Sequence, residues 1–195
     1  MLGLINRALE NFVKERHGMA TWRRVVARAG LGFDSFEPLL MYDAPLTDAV
    51  IAAICNELQR PRETVLEDVG TALVSHRSRH GLRRLLRFGG VSFVDFLHSL
   101  EELPDRARLA LPDLSLPGLR LEDLGAGQFN LVARPPFAGA GFILMGLLRA
   151  MADDYGALVL LDMAVQTAEG EVISIHLLDE AHAEGRPFDL ALGAA

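Results

Sequence analysis

Arginines and histidines cluster in one stretch of this chain, and both are residue types that take part in binding chemistry. The stretch lies between residues 76 and 87 and contains His76, Arg77, Arg79, His80, Arg83, Arg84 and Arg87. Histidines can bind a metal ion, but His76 and His80 would need further ligands that the local spacing does not supply. We therefore interpret the basic stretch as a solvated helix face or a patch that contacts a partner.

The other reactive side chains do not form a pattern typical of an active site. Ser75 and Ser78 lie close to histidines, but the sequence around them lacks the turn that exposes a catalytic serine. Gly125-Ala126-Gly127 is typical of a hairpin turn and not of a phosphate-binding loop. The carboxylates are scattered and include no pair that the sequence places together. The sequence therefore predicts a protein that is not an enzyme and has no metal-binding motif.

Composition narrows the class of protein further. At 195 residues, half of them apolar, the chain can bury one sizeable core. A net charge of -7 with dispersed arginines argues against a nucleic-acid surface, which needs concentrated positive charge. Cys55 is the single cysteine, so no internal disulfide forms. Because no apolar run reaches the roughly 18 residues of a membrane span and no secretory signal is present, we expect a cytoplasmic protein.

A helix that begins after Ser92 can be described from local rules alone. Ser92 and Asp95, three residues later, form a capping-box pattern. The apolar residues that follow recur every three or four positions and share one face: Phe93, Phe96, Leu97, Leu100, Leu103, Pro104 and Ala107. Pro104 therefore points inward. Because proline has no amide hydrogen and its ring crowds the preceding turn, we predict a kink or restart near Leu103.

The period of the apolar residues changes once along the chain. Up to about residue 109 it predicts helices near 4–16, 21–29, 47–58, 61–75, 82–88 and 92–107. After the proline-rich segment 111–118 it predicts a hairpin through 119–133, a helix near 139–155, and strands 158–167 and 171–179. The helix near 139–155 is apolar nearly all round, so we expect it to lie buried. The predicted fold class is α+β, with a helical lobe packed on a ββαββ antiparallel sheet lobe.

A set of short segments is more specific than the order of the elements. These segments are Gly3 to Ala8, Gly18 to Trp22, Leu85 to Gly90, Phe96-Leu97 with Leu100, Pro112 to Pro117, Arg134-Pro135, and Gly146 to Gly156. Together they resemble the H-NOX family of haem nitric oxide/oxygen binding domains. The resemblance covers residues 1–180, with a helical lobe at about 1–110 and a sheet lobe at about 111–180, and it leaves 181–195 as a C-terminal tail.

The resemblance implies a haem b site between the two lobes. In the family the iron-binding histidine stands eight residues after a phenylalanine of its helix, and counting from Phe96 reaches Pro104. The family's Tyr-x-Ser-x-Arg motif holds the haem propionates and here becomes Asn130, Val132 and Arg134, so that the arginine alone is kept. The axial ligand and two of the three propionate donors are therefore predicted to be missing.

Further residues match the family or lie on the buried helices. Ile5 and Pro117 stand at positions that press on the porphyrin, although both are also ordinary core and turn residues. The predicted contacts of a cofactor or ligand are Ile5, Leu100, Pro104, Pro117, Asn130, Val132, Arg134 and Ile143.

None of the other candidate ligands is predicted to replace the missing histidine. His98 lies on the helix of Pro104 but six positions earlier, so it projects from a different face. Cys55 has no haem-attachment pattern around it. His176 lies in a strand whose alternation places it on the exposed face or beside a polar neighbour. The residues expected to face solvent near element ends are His17 and His182.

Three functions remain open. The first is a haem-free sensory domain that binds an apolar, fatty-acid-like ligand in the interlobe cavity, with Arg134 anchoring its carboxylate or phosphate. The second keeps haem as a nitric oxide/oxygen sensor with a weak or absent axial ligand. The third is a ligand-free interaction module in which the cavity has closed and the basic stretch contacts an acidic partner. The resemblance implies a separate signalling partner, such as a cyclase, a histidine kinase or a diguanylate cyclase.

Overall fold

Helices dominate the first part of the chain and a four-stranded sheet the second. The computed structural model describes residues 3–75, 80–110, 118–134, 137–167 and 170–186. The helices are α1 (Leu4–Ala29), α2 (Ala44–Leu58), α3 (Arg62–Ser75), α4 (His80–Arg87), α5 (Phe93–Ser99), α6 (Leu103–Ala110) and α7 (Gly141–Tyr155). The strands are β1 (Leu119–Gly125), β2 (Gln128–Ala133), β3 (Leu158–Thr167) and β4 (Gly170–Asp179). This order confirms the predicted α+β fold class.

Helix α1 spans two segments that the sequence predicted as separate helices. The two predicted segments are joined end to end, and Gly18 lies between them with φ 86° and ψ 164°. A positive φ of this size is accessible to glycine without the steric cost that a side chain brings. The helix is therefore bent at Gly18, where the sequence predicted a break.

The sheet has the strand order β1-β2-β4-β3, and every neighbouring pair is antiparallel. Side chains alternate between its two faces. The inner face packs on helices and carries buried apolar residues: Phe129, Leu131, Ile173 and Ile175. We call the opposite side the outer face.

Two apolar cores lie on either side of a contact between α3 and α7. The helical core is formed by α1, α2 and α3, and the sheet core by α4, α5, α7 and the inner face of the sheet. An added Cβ at Gly70 would lie 2.0 Å from the Ile143 carbonyl oxygen, and one at Gly146 would lie 2.0 Å from the Glu67 carbonyl oxygen. The backbones of α3 and α7 therefore touch, which confirms that α7 is buried between the sheet and the helices.

In the described part of the chain, no helix combines the length and the apolar content that crossing a bilayer demands.

Candidate functional site

The helix that carries Pro104 restarts where the sequence predicted. The Ser92 hydroxyl accepts a hydrogen bond from the Asp95 amide at 3.1 Å, and the Asp95 carboxylate accepts one from the Ser92 amide at 3.1 Å. This capping box begins α5, which ends at Ser99. A 3-10 turn, Leu100–Glu102, follows, and α6 begins at Leu103. Pro104 thus lies in the first turn of α6, where a missing amide hydrogen costs no helical hydrogen bond.

Pro104 is buried, and so are its neighbours on the same side of the chain. Leu100 and Leu103 belong to the sheet core. The 3-10 turn is tied to the sheet because the Leu121 amide donates to the Glu101 carboxylate at 2.8 Å. The prediction that position 104 points inward is confirmed by its burial.

Two of the three residues at the predicted propionate-binding motif lie on the outer face of the sheet, and the third follows the end of β2. Asn130 and Val132 alternate with the inward Leu131 and therefore lie on the outer face of β2. The Asn130 amide is 3.5 Å from the Glu122 carboxylate of β1, which is its direct neighbour in the register. Arg134 follows the end of β2 and is exposed.

The remaining predicted contact residues divide between the two cores. Ile5 on α1 and Ile143 on α7 are half-buried, and both pack against the helical core. Leu100 packs in the sheet core instead. Pro117 lies outside the described residues. The described contacts therefore bring Ile5 and Ile143 to one core, and the convergence of the whole set on one cavity stays a prediction.

The described histidine side chains do not lie in either core. His98 is exposed, as predicted, with its Nε2 3.9 Å from the Asp123 carboxylate. His176 is half-buried on the outer face of the sheet, and His17 and His182 are exposed. His76 and the side chain of His80 lie outside the described residues. Within the described residues, no group of three or more histidine, cysteine or acidic side chains is arranged to hold a metal ion.

Cys55 is also a poor metal ligand in its surroundings. The thiol is half-buried, and burial raises its pKa. Because the thiolate is the form that binds metals, a raised pKa disfavours ligation at neutral pH.

Two residues of the basic stretch, Arg83 and Arg87, are mostly buried, so the predicted solvated helix face is wrong for them, and the partner patch stays a prediction. Arg83 Nε lies 2.8 Å from Asp154 Oδ1, and Arg87 Nε lies 3.6 Å from Asp154 Oδ2. The Arg87 guanidinium also stacks on the Tyr155 ring, 3.9 Å from its centre. Asp154 is fully buried and lies 71 residues after Arg83, so local charge patterns could not reveal this pairing. Arg77 and Arg79 lie outside the described residues.

Two buried polar residues were not singled out from the sequence as candidates for a site. The Glu171 carboxylate accepts hydrogen bonds from the Gly139 amide at 2.7 Å and the Gly141 amide at 2.6 Å, at the start of α7. A negative charge there stabilises the helix N-terminus. Glu171 precedes the inward Ile173 by two positions, so strand alternation was the signal that could have found it.

Asn6 is the second of these residues. It is fully buried on α1 beside Ile5, and neither its amide nitrogen nor its amide oxygen has a hydrogen-bond partner within the described part of the chain. A buried amide without partners costs about 1–3 kcal/mol, so such a group in a native protein points to an additional partner. The signal in the sequence was an asparagine between the apolar positions Ile5 and Leu9.

Helices packed on one face of a four-stranded antiparallel sheet define an α+β domain with the architecture of H-NOX structures. The sequence profile of the haem-NO-binding (HNOB) family matches residues 2–162. The match covers most of the 195 residues, and the chain therefore belongs to this family.

Solved structures share the fold across nearly the whole described chain. An H-NOX protein from S. oneidensis in the Fe(II)NO state superposes with a TM-score of 0.76 at 18% identity, covering 92% of this chain and 100% of that one. An unliganded Fe(II) H-NOX protein from K. algicida gives a TM-score of 0.77 at 14% identity, covering 94% and 100%. At these identities the likeness shows the fold.

The curated relatives are longer proteins. Soluble guanylate cyclase 89Db of Drosophila melanogaster is 22% identical over 171 residues, which are 88% of this chain and 25% of the relative. Soluble guanylate cyclase gcy-31 of Caenorhabditis elegans is 24% identical over 154 residues, which are 79% of this chain and 22% of the relative. The chain thus spans about a quarter of the length of these relatives.

Haem is the group that the family implies, and the residues at the predicted positions do not fit it. Pro104 has no lone pair to offer iron because its nitrogen belongs to a peptide bond. Val132 has no hydrogen-bond donor, and Asn130 stands beside the Glu122 carboxylate, which would repel a propionate. Among the residues at the propionate-binding motif, Arg134 alone is the residue type that the resemblance assigns to its position, an arginine that pairs with a propionate.

Proposed function

We propose that this chain is a sensory ligand-binding domain of the haem-NO-binding family that binds an apolar ligand with an acidic head group in place of iron-ligated haem. The observation that supports the proposal most directly is the burial of Pro104 in the first turn of α6. An imino acid there leaves the interior side of the helix without an iron ligand. Sensing then depends on the ligand that fills the space between the lobes.

Packing energetics support a ligand in this space. Protein interiors are filled to a density of about 0.74, and an empty cavity costs about 24 cal/mol per Å³. A fold that accommodates haem in its relatives must therefore either close around the missing group or take up another one. A fatty-acid-like chain matches the apolar character of Leu100, Ile143 and Ile5.

Two polar residues support an acidic head group. Arg134 is exposed at the end of β2, where its guanidinium can form a charge-assisted pair with a carboxylate or a phosphate. The unsatisfied amide of Asn6 is a second group that a polar ligand atom would satisfy. We assign Arg134 the anchoring role, as the residue that keeps the family's chemistry.

Titration with hemin tests the assignment of position 104. We expect the wild-type chain to show no sharp Soret band, because Pro104 cannot ligate iron. Pro104→His should produce a sharp band by placing an imidazole on the buried side of α6. Asp105→His is the matched control, since Asp105 is the exposed neighbour on the same helix.

The spectra separate the proposal from the haem-sensor alternative. A sharp Soret band of the wild-type chain that shifts with nitric oxide would establish haem ligation through another residue and overturn the proposal. A featureless titration of folded Pro104→His would remove position 104 from the predicted axial site.

Thermal unfolding with dodecanoate and with dodecanol tests the ligand class. Saturation at 100 times Kd stabilises the folded state by about 2.7 kcal/mol, so dodecanoate should raise Tm by several degrees. Dodecanol should act more weakly because it lacks the charge that Arg134 binds. Arg134→Gln should weaken dodecanoate binding by about tenfold or more, whereas Arg24→Gln, an exposed arginine paired with Glu57, should not.

Asn6→Leu sharpens the same experiment. Replacing an unsatisfied buried amide by an apolar side chain of similar size is expected to leave the ligand-free protein as stable as before, or more stable. The variant should nevertheless lose part of the dodecanoate shift. The proposal is contradicted if neither ligand shifts Tm and native mass spectrometry of gently purified protein finds no bound species.

The partner is proposed to be a separate signalling protein, with a histidine kinase or a diguanylate cyclase as the family resemblance implies. The curated relatives are guanylate cyclases, and this chain matches about a quarter of their length. Their catalytic activity is therefore not assigned to the described domain.

A further inference from the structure

Three successive large apolar residues lie exposed on the loop between α1 and α2. Leu39 is 67% exposed, Leu40 is 55% exposed and Met41 is 68% exposed. Single exposed apolar residues are ordinary on a protein surface, but a contiguous group of large ones marks an interaction site. We call residues 37–43 the leucine loop. The proposed ligand contacts include none of its three apolar side chains.

Hydrogen bonds and ring packing fix the shape of the leucine loop. The Gly3 amide, at the start of α1, donates to the Leu40 carbonyl oxygen at 2.8 Å, and the Glu37 amide donates to the Tyr42 hydroxyl at 2.9 Å. The buried Phe36 ring packs edge-on against the Tyr42 ring, with 5.0 Å between the ring centres. Because these contacts hold the loop without a partner, binding to it costs little conformational entropy.

Acidic residues stand on both sides of the apolar residues of the leucine loop. Glu37 and Asp43 are each two positions away from them in the sequence, and both are exposed. Arg7 is bonded to the segment just before the loop, but the Glu10 carboxylate lies 2.8 Å from its guanidinium and balances its charge. The leucine loop therefore presents an apolar centre with a negative rim.

We propose that the leucine loop binds a basic amphipathic segment of a partner protein. Apolar side chains of that segment cover the centre of the loop, and its Lys or Arg side chains pair with Glu37 and Asp43 at the rim. This contact does not depend on which ligand the domain binds, so failure of the ligand experiments would leave it standing.

Charge argues against two other occupants of the leucine loop. A second copy that met this one through the same loop would set two acids against two identical acids, and each copy carries a net charge of -7. An anionic membrane surface would meet the same repulsion from the rim. A cationic partner is the occupant that both acids attract.

Fluorescence anisotropy with labelled synthetic peptides and the full chain tests the proposal. The probe is a peptide of about 18 leucine and lysine residues, with the leucines on one helical face. We expect it to bind with a Kd on the order of 10 µM at physiological salt. A peptide with Glu in place of each Lys, or with Ser in place of each Leu, should bind at least about tenfold more weakly.

Substitutions in the leucine loop locate the contact. Leu39→Ser combined with Met41→Ser should weaken peptide binding by about tenfold or more, because it removes apolar area that the peptide covers. Glu37→Gln combined with Asp43→Asn should weaken it by about threefold to fivefold, and this difference should shrink at high salt.

The control variants make the same kinds of change elsewhere on the surface. Leu160→Ser alters a residue of β3 that is 58% exposed, and Asp153→Asn combined with Glu180→Gln removes two exposed acids. Both should leave the Kd of the peptide unchanged. The proposal is overturned if these controls weaken binding as much as the loop variants do, or if the loop variants bind as tightly as the wild-type chain.

Hydrogen exchange of the wild-type chain provides a measurement that needs no substitution. Adding the leucine-lysine peptide should slow exchange at residues 37–43, and unchanged exchange there would overturn the proposal. Sedimentation velocity of the chain alone and sedimentation with phosphatidylserine vesicles address the other occupants. Self-association or vesicle binding that Leu39→Ser combined with Met41→Ser abolishes would assign the loop to a second copy or to a membrane, against the proposal.

Discussion

Glu10 in the helical core and Asp154 in the sheet core are both buried carboxylates, and the two are held in different ways. Glu10 in the helical core accepts hydrogen bonds from Lys14 Nζ at 2.5 Å, the Phe36 amide at 2.8 Å, the Ser35 hydroxyl at 2.9 Å and Arg7 Nη1 at 2.8 Å. All four donors come from α1 itself or from the loop about 25 residues later. This carboxylate therefore fixes a local loop to the helix that precedes it.

Asp154 in the sheet core depends on partners that are distant in the sequence. Arg83 and Arg87 of α4 approach it from 71 and 67 positions earlier, and both side chains are mostly buried. The neighbouring Tyr155 hydroxyl donates to the Gly90 carbonyl oxygen at 3.0 Å, so α7 also holds the turn after α4. Burial raises the pKa of Tyr155, which keeps this hydroxyl protonated. The comparison shows that one core closes locally while the other depends on contacts across the chain.

The largest loss of folding stability is expected for Asp154→Ala. The substitution leaves Arg83 and Arg87 without the buried carboxylate that faces them, which typically costs about 3–5 kcal/mol. Urea unfolding should show this loss. Hydrogen exchange should accelerate in α4 and much less in α1, because the helical core keeps its own contacts.

Asp153→Ala is the control for this prediction. Asp153 is exposed on the same helix, and its removal should change stability by less than about 0.5 kcal/mol. If Asp154→Ala cost no more than Asp153→Ala, the distant ion pairs would not hold the sheet core, and the contrast between the two carboxylates would fail.

A smaller loss of folding stability is expected for Glu10→Gln, and this loss should depend on pH. Burial by itself raises the pKa of Glu10, but hydrogen bonds from Lys14, the Phe36 amide and Ser35 outweigh it and bring the pKa below its ordinary value of 4.5. A lowered folded-state pKa means that the carboxylate contributes stability above pH 4.5 and loses it as the pH falls through the folded-state pKa. At pH 7 the variant should be about 2 kcal/mol less stable.

Unfolding free energies measured between pH 7 and pH 3 test the sign of this effect. The difference between the wild-type chain and Glu10→Gln should shrink as the pH falls below 4.5. Glu15→Gln, at an exposed position of α1, should show no such trend. A difference that grows on acidification would mean that burial outweighs the hydrogen bonds of Glu10.

Local patterns predicted most of the elements because the forces that set them act within a few residues. The capping box at Ser92, the restart before Pro104 and the break at Gly18 each depend on backbone chemistry that the sequence displays. Strand periodicity likewise predicted β3 at 158–167 as the structure has it. These predictions needed no knowledge of which elements meet.

The candidate site was less predictable because it depends on which distant residues meet. The basic stretch suggested a solvated surface, yet Arg83 and Arg87 form ion pairs with Asp154 of α7. Asn130 was predicted at a ligand site, and the structure places it on the outer face beside Glu122. The ligand itself leaves no periodic signal, so its class rests on single residues such as Pro104 and Arg134.

The smallest effect is expected for Ser92→Ala, which tests whether the sheet core contains any locally fixed element. The substitution removes the side-chain bond to the Asp95 amide and should cost about 1 kcal/mol. Ser92→Asp should recover most of this loss, because a carboxylate accepts the same hydrogen bond. Urea unfolding of the three proteins measures the difference.

The position of the loss within the molecule matters more than its size. Because the capping box joins residues three apart, hydrogen exchange should accelerate at the first turn of α5 and leave α4 and α7 unchanged. Asp154→Ala, in contrast, should loosen α4 although its own residue lies on α7. If Ser92→Ala loosened α4 as much as Asp154→Ala does, the start of α5 would be part of the long-range network, and the sheet core would have no locally fixed helix end there.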